Sequence, residues 1–370
     1  MKILVTGGCG FIGSHLVDGL IENNHEVRVL DSLEYQVHEG GIPDYLNPGA
    51  DYIFGDVRDE EVLKRALAGV DVIFHHAAAV GVGQSMYEIA KYTDSNILGT
   101  AKLLDALVNH NHHACKMIIA SSMSIYGEGA YRCDDCGVVY PRLRASEKLK
   151  SKDWGMRCPK CQKPVECMPT NEDKPLFPTS VYAITKRDQE EMCLTIGRAY
   201  GLPTVALRYF NVYGSRQSLN NPYTGVAAIF ASRIKNDNPP LIFEDGLQSR
   251  DFINIKDVVQ ANLLVMEKSE ANYEVFNVGT GKPSAILDIA KLILKLYGKR
   301  LEPQVVDKYR TGDIRHCYAD ISKIRKLGFE PRVDLDQGMR ELVAWGSAIE
   351  AEDRTEQAQR ELRERGLVEI

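Results

Sequence analysis

The chain has 370 residues, with 45 Lys and Arg against 51 Asp and Glu, and a net charge of −6 at pH 7. This charge excludes a general electrostatic affinity for nucleic acid, and no apolar run approaches the roughly 18 residues of a membrane-spanning helix. Residues 1–7 hold only a short apolar run, unlike a signal peptide, so we expect a cytoplasmic protein that binds neither nucleic acid nor membrane. There the nine cysteines are expected as thiols or metal ligands rather than disulfides.

The sequence opens with a predicted strand, a glycine-rich turn and an amphipathic helix, in that order. The run Lys2–Thr6 predicts a short buried strand, and glycines follow it directly. Such a turn lets backbone approach a pyrophosphate closely, and the expected contact residues are Gly7, Gly10, Phe11, Ile12 and Gly13. Asp31 ends a second predicted strand 18 positions after Gly13, where a carboxylate binds ribose hydroxyls and repels a 2′-phosphate. The segment therefore predicts a site for NAD rather than NADP.

The alternation of strands and helices continues beyond this unit. Further strands are predicted at 52–54, 72–74 and 117–120, with helical stretches between them. This pattern predicts an α/β fold with a Rossmann-like, doubly wound parallel sheet. Ligands bind beyond the carboxyl ends of such strands, so we expect Asp56, Val57, Ala77 and Ala78 at the cofactor, with Ser122 nearby.

A helix predicted from Val181 to about Tyr200 carries a candidate catalytic pair. Tyr182 and Lys186 lie four positions apart and share one face of this helix, which Thr179 or Ser180 can cap. A phenol is a poor base at neutral pH, but a nearby ammonium and a positively charged nicotinamide both favour its ionised form. Tyr182 then becomes a usable general base. The pair alone is a weak motif, and the upstream NAD signature gives it weight.

These residues, together with several others, resemble the extended short-chain dehydrogenase/reductase family, specifically its nucleotide-sugar epimerases and dehydratases. The likeness covers nearly the whole chain and rests on the Gly-x-x-Gly-x-x-Gly turn, Tyr182 with Lys186, and five further stretches. Those stretches are 121–127, 207–214, 250–253, 276–279 and 310–313. The resemblance implies a bound NAD, a nucleotide-diphosphate sugar as substrate and a homodimer.

The resemblance also implies roles for individual residues. Ser122 would hydrogen-bond the sugar's 4-oxygen beside Tyr182, while Lys186 would bind the nicotinamide ribose. Asn96 matches a position near the active site, although a role as a helix-stabilising hydrogen bonder fits equally well. The substrate residues implied are Ser122, Ser124, Asn211, Phe243, Arg250 and Arg310, with the arginines on the diphosphate. Phe243 would stack on the base, although an ordinary core phenylalanine is equally plausible.

The residues after Ser122 bear on the type of reaction. The 4,6-dehydratases of the family carry Asp-Glu at the two positions that here are Met123 and Ser124, which cannot ionise for that chemistry. Reversible 4-epimerisation needs only Ser122, Tyr182 and NAD, and is therefore the leading interpretation. The alternatives are an epimerase of another nucleotide hexose, such as UDP-glucose/UDP-galactose, a decarboxylase or a ketoreductase. A non-catalytic NAD-binding regulator or RNA-binding protein is disfavoured, because it has no need of an activated phenol.

Two Cys-x-x-Cys pairs interrupt the pattern of the fold. Cys133 and Cys136 are separated from Cys158 and Cys161 by 21 residues, a spacing close to a zinc ribbon with four thiolate ligands. Such a site leaves no open coordination position, so the predicted zinc is structural, with Cys167 as an alternate ligand. The other cysteines are predicted to be buried: Cys9, Cys115, Cys193 and Cys317. The insertion is rich in Arg and Lys, but interleaved acidic residues favour a solvated surface over nucleic-acid binding.

The insertion also narrows the resemblance. Paired cysteine knuckles between Tyr-Gly-Glu-Gly and Thr-Ser-Val-Tyr-Ala are similar to the branch of the family that converts dTDP-L-rhamnose to dTDP-6-deoxy-L-talose. Because the insertion lies between Ser122 and Tyr182, we expect it at the active-site rim, as a lid. The predicted division is an NAD-binding lobe at 1–127 and 171–210, a zinc-ribbon insertion at 128–170, and a smaller nucleotide-sugar lobe at 211–370. The last stretch, Asp334–Leu367, predicts a packed helix with a charged tail.

Overall fold

The protein is built around one large parallel sheet and three smaller ones. The structure, a computed structural model, describes residues 1–110 and 112–368. The strands of the amino-terminal half are β1 (Lys2–Thr6), β2 (Glu26–Asp31), β3 (Asp51–Phe54), β4 (Val72–His75), β5 (Lys116–Ser122), β6 (Ala130–Cys133), β7 (Gly137–Val139) and β8 (Glu166–Met168). Those of the other half are β9 (Thr204–Tyr209), β10 (Asn211–Tyr213), β11 (Leu241–Ile242), β12 (Ser249–Asn254), β13 (Val275–Val278), β14 (Pro283–Ala285), β15 (Gln304–Val305) and β16 (His316–Cys317).

Helices connect these strands and cover the large sheet. The first group is α1 (Phe11–Glu22), α2 (Tyr35–His38), α3 (Glu60–Leu67), α4 (Ile89–Tyr92), α5 (Gly99–Asn109), α6 (Ser146–Lys150) and α7 (Val181–Tyr200). The second group is α8 (Val226–Lys235), α9 (Ile255–Glu267), α10 (Ile286–Tyr297), α11 (Ser322–Arg325), α12 (Leu335–Ala348) and α13 (Thr355–Glu364). In the described part of the chain, none of them has the length and apolar character needed to cross a bilayer.

The large sheet has seven parallel strands in the order β13-β9-β5-β4-β1-β2-β3. The chain moves outward from β1 in both directions, so a crevice opens where β1 lies between β2 and β4. Both faces of the sheet are buried: one hydrophobic cluster includes Ile3, Val5 and Val29, and another includes Leu4 and Ile73. Two-sided burial explains the continuous apolar runs from which these strands were predicted. The predicted Rossmann-like fold is confirmed.

The second lobe contains a small sheet in the order β10-β12-β14, with β16 beside β12. Helices α8, α10 and α12 pack into one hydrophobic cluster against it. The packed helix predicted within 334–367 is α12, and the charged tail predicted after it contains a second helix, α13. Between them the N–H of Glu352 donates to Asn220 Oδ1 (2.7 Å), and Asp353 pairs with buried Arg233 at 3.1 Å. Tertiary hydrogen bonds therefore replace those of a continuous helix.

The cysteine-containing insertion forms a three-stranded antiparallel sheet in the order β7-β6-β8. Its small core consists of Tyr131, Cys133, Val139, Met156 and Cys158. The segment at its base joins the second lobe: the N–H of Gly129 donates to His316 O (2.8 Å), and that of Thr170 donates to Tyr318 O (2.8 Å). The insertion thus packs beside β16 and the chain that follows it.

Candidate active site

One cleft of about 420 Å³ lies at the carboxyl ends of the central strands. It brings together fourteen of the predicted site residues: Gly7, Gly10, Phe11, Ile12, Gly13, Asp31, Asp56, Val57, Ala77, Ala78, Ser122, Tyr182, Lys186 and Asn211. The other predicted residues lie outside its lining: Asn96, Ser124, Phe243, Arg250 and Arg310. No described residue of 128–170 lines the cleft, and the expected role of the insertion as a lid stays a prediction. Its contacts are with the second lobe instead.

The glycine turn between β1 and α1 depends on close backbone contacts. Gly7 has φ +71°, and a Cβ on it would lie 2.8 Å from the backbone nitrogen of Ala77. A Cβ on Gly13 would lie 2.2 Å from the carbonyl oxygen of Gly7. At Gly10 the nearest atom would be 3.5 Å away, an ordinary contact. Packing within the protein therefore accounts for Gly7 and Gly13, whereas the bare backbone of Gly10 faces open space where a ligand can approach.

Asp31 stands at the end of β2 beside this turn. Its carboxylate accepts hydrogen bonds from the backbone N–H groups of Cys9 (2.9 Å) and Leu33 (2.9 Å). Two bonds leave lone pairs on the carboxylate oxygens for further donors. His38 Nε2 lies 3.9 Å from Asp31 Oδ1, and burial lowers the pKa of this histidine. His38 was not predicted, and its place in a short irregular helix provides no pattern that would have indicated it.

Ser122, Tyr182 and Lys186 meet where β5 ends and α7 begins. The Ser180 hydroxyl accepts from the N–H of Ala183 (3.1 Å) and caps the helix, as one of the two predicted caps. Burial raises the pKa of Tyr182 to about 12, and a hydrogen bond with Ser122 opposes that rise. Burial lowers the pKa of Lys186 to about 8, and its ammonium donates to Ala120 O (2.9 Å).

Burial raises the pKa of Tyr182 and lowers that of Lys186, and with these shifts Tyr182 can transfer a proton only when a ligand occupies the cleft. The buried phenol keeps its proton in the ligand-free protein, because burial disfavours the anion. A positive charge arriving in the cleft favours the phenolate by direct electrostatic attraction. The arrangement can therefore exchange a proton with a bound hydroxyl group when a cationic ring lies beside Tyr182.

Ser124 lies beside the cleft and supports Ser122. Its hydroxyl donates to Ser122 Oγ (2.9 Å), and its backbone N–H reaches the same oxygen at 3.2 Å. Ser122 Oγ accepts both bonds, which directs its own proton to the hydrogen bond with Tyr182. Ser124 thus orients a residue of the cleft.

Asn96 is fully buried behind the cleft, in a π-helical turn at Thr93–Leu98 that joins α4 to α5. Its Oδ1 accepts from the N–H of Ala79 (2.7 Å), and its Nδ2 donates to Ala79 O (3.1 Å). The side chain therefore fixes the loop that follows β4, next to Ala77 and Ala78. The hydrogen bonds shown join Asn96 to other elements, and its predicted place at the cofactor stays a prediction.

A buried ion pair below the cleft was not predicted. Arg208 on β9 and Glu190 on α7 form two hydrogen bonds, Nη2–Oε1 at 2.6 Å and Nε–Oε2 at 3.0 Å. The Ser121 hydroxyl donates to the same carboxylate (2.6 Å), next to Ser122 in the chain. The pair joins β5, β9 and α7, the three elements that position the candidate catalytic residues. A charged residue in the otherwise apolar run of β9 was the available signal.

Three of the four predicted site residues of the second lobe lie together outside the lining of the cleft. The Arg310 guanidinium stands 4.1 Å from the centre of the Phe243 ring, and Arg310 Nε is buried without a hydrogen-bond partner. Arg250 donates to three backbone carbonyls, those of Ser249, Ile314 and Arg315. Within residues 1–110 and 112–368, neither arginine has a carboxylate partner within 4 Å. Neither guanidinium is thus paired directly, although the buried Asp313 carboxyl interacts electrostatically with both.

The Phe243 ring is covered in this structure. Leu362 and Val368 pack against it, and the backbone of Val368 forms an antiparallel bridge with Arg310. The N–H of Thr311 donates to Leu367 O (3.1 Å). Access of a ligand to Phe243 requires these carboxyl-terminal residues to move.

The four predicted cysteine ligands come together in the insertion. All four Sγ atoms, those of Cys133, Cys136, Cys158 and Cys161, lie within 4.8 Å of one another. Cys167 is outside this group, although it pairs with Tyr131 across the small sheet. Cys9, Cys193 and Cys317 are buried as predicted, but the prediction for Cys115 is wrong, because it is exposed at the start of β5.

Comparison with known proteins identifies the family. The NAD dependent epimerase/dehydratase family matches residues 3–143 and 159–279. The dTDP-L-rhamnose 4-epimerase of Burkholderia thailandensis is 35% identical over 349 residues, covering 93% of this chain and 94% of that protein. The structure of UDP-glucose 4-epimerase with UDP-glucose from Thermotoga maritima is 34% identical, with a TM-score of 0.76 and coverages of 93% and 98%. That of UDP-glucuronic acid 4-epimerase with UDP-glucuronic acid and NAD from Bacillus cereus is 28% identical, with a TM-score of 0.76 and coverages of 94% and 99%.

The chain belongs to the NAD dependent epimerase/dehydratase family, which confirms the predicted resemblance to extended short-chain dehydrogenase/reductases. The fold, the glycine turn and the cleft define this class. More particularly, the protein is an NAD-dependent enzyme, and its relatives named above are 4-epimerases of nucleotide sugars.

Proposed function

We propose that the enzyme epimerises a nucleotide-diphosphate sugar at C4, interconverting dTDP-L-rhamnose and dTDP-6-deoxy-L-talose. The observation that carries the reaction type is the meeting of Ser122, Tyr182 and Lys186 in the cleft formed by the glycine turn. The relative from Burkholderia thailandensis supports the choice of substrate. The relative from Thermotoga maritima supports UDP-glucose as the competing substrate.

In this proposal the residues of the chain handle the proton and orient the sugar. Tyr182 removes the proton of the C4 hydroxyl and later returns it, while Ser122 holds the same oxygen by a hydrogen bond. Lys186 binds the nicotinamide ribose and stabilises the phenolate by its charge. NAD, when bound, accepts the hydride from C4 and gives it back. Inversion at C4 would require the ketone to turn over in the cleft, so that its opposite face is reduced.

The surroundings of Ser122 favour epimerisation over dehydration. A dehydratase needs an acid and a base to remove the C5 proton and expel the C6 hydroxyl. Here Met123 is buried, and the Ser124 hydroxyl is bonded to Ser122 Oγ. Neither side chain ionises near neutral pH, so the C4 ketone has no group at these two positions to drive elimination.

Arg250 and Arg310 are proposed to bind the diphosphate of the substrate. The absence of a carboxylate partner on either, among the described residues, and the unpaired Nε of Arg310 support this assignment. A diphosphate supplies oxygens that match the planar guanidinium. Asn211 lines the cleft with its Oδ1 buried and unpaired, and is proposed as a further polar contact. Phe243 is proposed to stack on the base once the carboxyl-terminal residues have moved.

A structural zinc ion is proposed at the four cysteines. In a tetrahedral site with Zn–S distances of about 2.3 Å, neighbouring sulfurs lie about 3.8 Å apart. The Cys133 and Cys161 sulfurs are 3.5 Å apart, and the N–H of Lys160 points to Cys158 Sγ (3.4 Å). The donor set therefore fits zinc. Metal analysis should give about one zinc per chain, and Cys133→Ser with Cys158→Ser should lose it; unchanged zinc in both would contradict the proposal.

A cytoplasmic homodimer is proposed as the working form of the enzyme. None of the nine cysteines forms a disulfide, which suits a reducing compartment. On α7 and the neighbouring helix, Ile184, Ile89 and Leu98 expose apolar side chains that a second copy can cover. Light scattering after gel filtration should give twice the mass of the chain, about 83 kDa against 41.4 kDa for a monomer.

Proton NMR with purified enzyme and dTDP-L-rhamnose tests the reaction and the substrate together. The C4 epimer should appear with the anomeric and C6 methyl signals intact. Tyr182→Phe should lose turnover by at least about 100-fold while keeping NAD, because only the proton transfer is removed. Tyr297→Phe, on α10 of the second lobe, is the matched control and should keep full activity. Turnover of UDP-glucose but not dTDP-L-rhamnose would overturn the substrate assignment alone.

A further inference from the structure

A short segment of the insertion has no counterpart in the family pattern. The match to the family stops at residue 143 and resumes at 159. Within the intervening segment, Arg144 and Trp154 point into the protein: 3% of the Arg144 side chain and 8% of Trp154 are exposed. Both lie against the second lobe, so this segment is a built contact rather than a solvated loop.

Arg144 makes a bidentate ion pair with Glu244. Its Nη1 donates to Glu244 Oε2 and its Nη2 to Oε1, both at 2.8 Å. Glu244 also accepts from Arg315 Nη1 (2.8 Å), and only 3% of its side chain is exposed. The Arg315 guanidinium is bound in turn by Asp245. Two arginines from distant parts of the chain therefore hold one carboxylate, in a nearly neutral buried cluster.

The cluster is adjacent to the proposed nucleotide-binding residues on both sides. Glu244 directly follows Phe243. Its backbone is left-handed (φ +53°), which is uncommon for a residue other than glycine, so this turn depends on the contacts of Glu244. Arg144 Nη2 also donates to the carbonyl of Asp313 (3.3 Å), three residues after Arg310. One guanidinium thus binds the turn that bears Phe243 and the loop that bears Arg310.

The same segment supports the Arg310 loop with an aromatic contact. The Trp154 ring packs against Tyr309, with centroids 6.4 Å apart and planes at 62°, beside Leu149. Tyr309 immediately precedes Arg310. Lys152 adds an exposed ion pair with Asp307 at 2.8 Å. The loop is therefore held from the insertion at residues 307, 309 and 313.

We infer that Arg144 is a positioning residue for the nucleotide-binding site: the insertion braces Phe243 and Arg310 against each other through it. The inference rests on the proposed function for the roles of those two residues. A buried ion pair adds little net stability, but a planar bidentate pair fixes direction, which a lysine cannot reproduce. Loss of the Arg144 charge also leaves the cluster more negative, which opposes a diphosphate nearby.

The kinetic test compares Arg144→Met, Arg144→Lys and Arg142→Met. Arg142 is an exposed neighbour that stacks on Phe177 (3.4 Å), so it is the matched control for a nearby arginine with an exposed side chain. Arg144→Met should raise KM for the nucleotide sugar and Kd for dTDP by roughly 10- to 100-fold, the size of a lost charged hydrogen-bond pair. The kcat should change less than about threefold, because Ser122, Tyr182 and Lys186 are untouched. Arg144→Lys should recover part of the affinity.

Amide hydrogen exchange of the ligand-free proteins tests, without substrate, whether Arg144 holds the segments that bear Phe243 and Arg310. Peptides covering 241–246 and 307–313 should exchange faster in Arg144→Met than in wild type or Arg142→Met, at a pH where all three are folded. Unchanged exchange in both peptides would overturn the inference, as would unchanged KM in an active wild-type background. A wild-type protein without turnover would instead contradict the proposed function. The exchange result would still show whether Arg144 holds the Phe243 turn and the Arg310 loop in place. If Arg144→Met does not fold, Arg144→Lys is judged by the same two measurements.

Discussion

The side-chain amide of Asn96 donates a 2.9 Å hydrogen bond to the hydroxyl of Thr185, the residue before Lys186. The same amide group also accepts from the backbone N–H of Ala79 and donates to the Ala79 carbonyl. One buried side chain thus joins the π-helical turn, the loop after β4 and the helix that carries the candidate catalytic residues. A π-helical turn places one residue more per turn, and here it brings Asn96 between the two.

Asn96→Ala should lower the free energy of unfolding by about 1–3 kcal/mol, because Ala79 and Thr185 keep buried polar groups without their partner. NAD binding should weaken as well, since the loop of Ala77 and Ala78 loses its support. Urea denaturation and calorimetric titration measure the two effects. Asn109→Ala, at the exposed end of α5 with one local hydrogen bond, is the control and should change neither quantity appreciably.

Gly10→Ala and Gly13→Ala should separate cofactor binding from folding. The Cβ of Gly13→Ala would lie 2.2 Å from Gly7 O, so the turn must shift, at a cost of roughly 1–3 kcal/mol or more. The Cβ of Gly10→Ala meets nothing closer than 3.5 Å, so stability should be unchanged while NAD binds at least about tenfold more weakly. Thermal melts measure the stability of both variants, and titration measures their affinity for NAD. Equal NAD affinity in wild type and Gly10→Ala would refute the proposed approach of the pyrophosphate.

Glu190→Gln should be strongly destabilising, by about 3–5 kcal/mol, because it leaves the Arg208 guanidinium buried beside a neutral partner. The adjacent Glu191→Gln is the matched control: that carboxylate pairs with Arg187 at 2.7 Å, but 52% of its side chain is exposed. Its loss should cost no more than about 0.5 kcal/mol. Equilibrium denaturation of both variants measures these losses. Similar losses of unfolding free energy would show that the buried pair contributes no more to stability than the exposed one.

The pKa of Lys186, lowered to about 8 by burial, predicts a pH-dependent stability of the ligand-free protein. Between pH 8 and the ordinary lysine pKa of about 10.4, the unfolded chain binds more protons at this residue than the folded one. Raising the pH through that window therefore stabilises the fold, whereas below pH 8 both states are protonated and the contribution is constant.

The measurement compares wild type, Lys186→Met and Lys256→Met by urea denaturation from pH 7 to pH 10. The stability of wild type should rise relative to Lys186→Met across the upper half of this range. Lys256→Met should track wild type, because 60% of the Lys256 side chain is exposed. A constant difference between wild type and Lys186→Met at all pH values would contradict the shift.

Local patterns in the sequence predicted the large sheet well, because each strand lies next to the helix or turn that identifies it. The strand β1, the glycine turn and the carboxylate of Asp31 are all set within 31 residues. Ser180 was predicted as a cap from neighbours only. Where the structure departs from the prediction, contacts over long sequence distances decide: Asn220 and Arg233 interrupt the last helix, and Arg144 reaches Glu244 across 100 residues. No periodicity within a segment contains such information.

The residues of the candidate site also divide into those that local sequence predicts and those that long-range contacts decide. Residues at strand ends and on one helix face were placed by motif and spacing, whereas the covering of Phe243 by Leu362 and Val368 depends on how the chain returns after α12. The contacts of the insertion depend in the same way on the fold of the whole chain. Its place between Ser122 and Tyr182 in the sequence indicated the rim of the cleft, but its buried side chains meet the second lobe.

The position of β13 at the edge of the large sheet has a consequence for synthesis of the chain. This strand, Val275–Val278, pairs with β9, which ends at Tyr209, so residues 210–274, with α8, β12 and α9, are made between two adjacent strands. A nascent chain that stops before residue 275 presents β9 as an open edge, with apolar Val205 and Leu207 beside it. We therefore expect the large sheet to be completed only once residue 278 has left the ribosome, and fragments ending near residue 210 to aggregate.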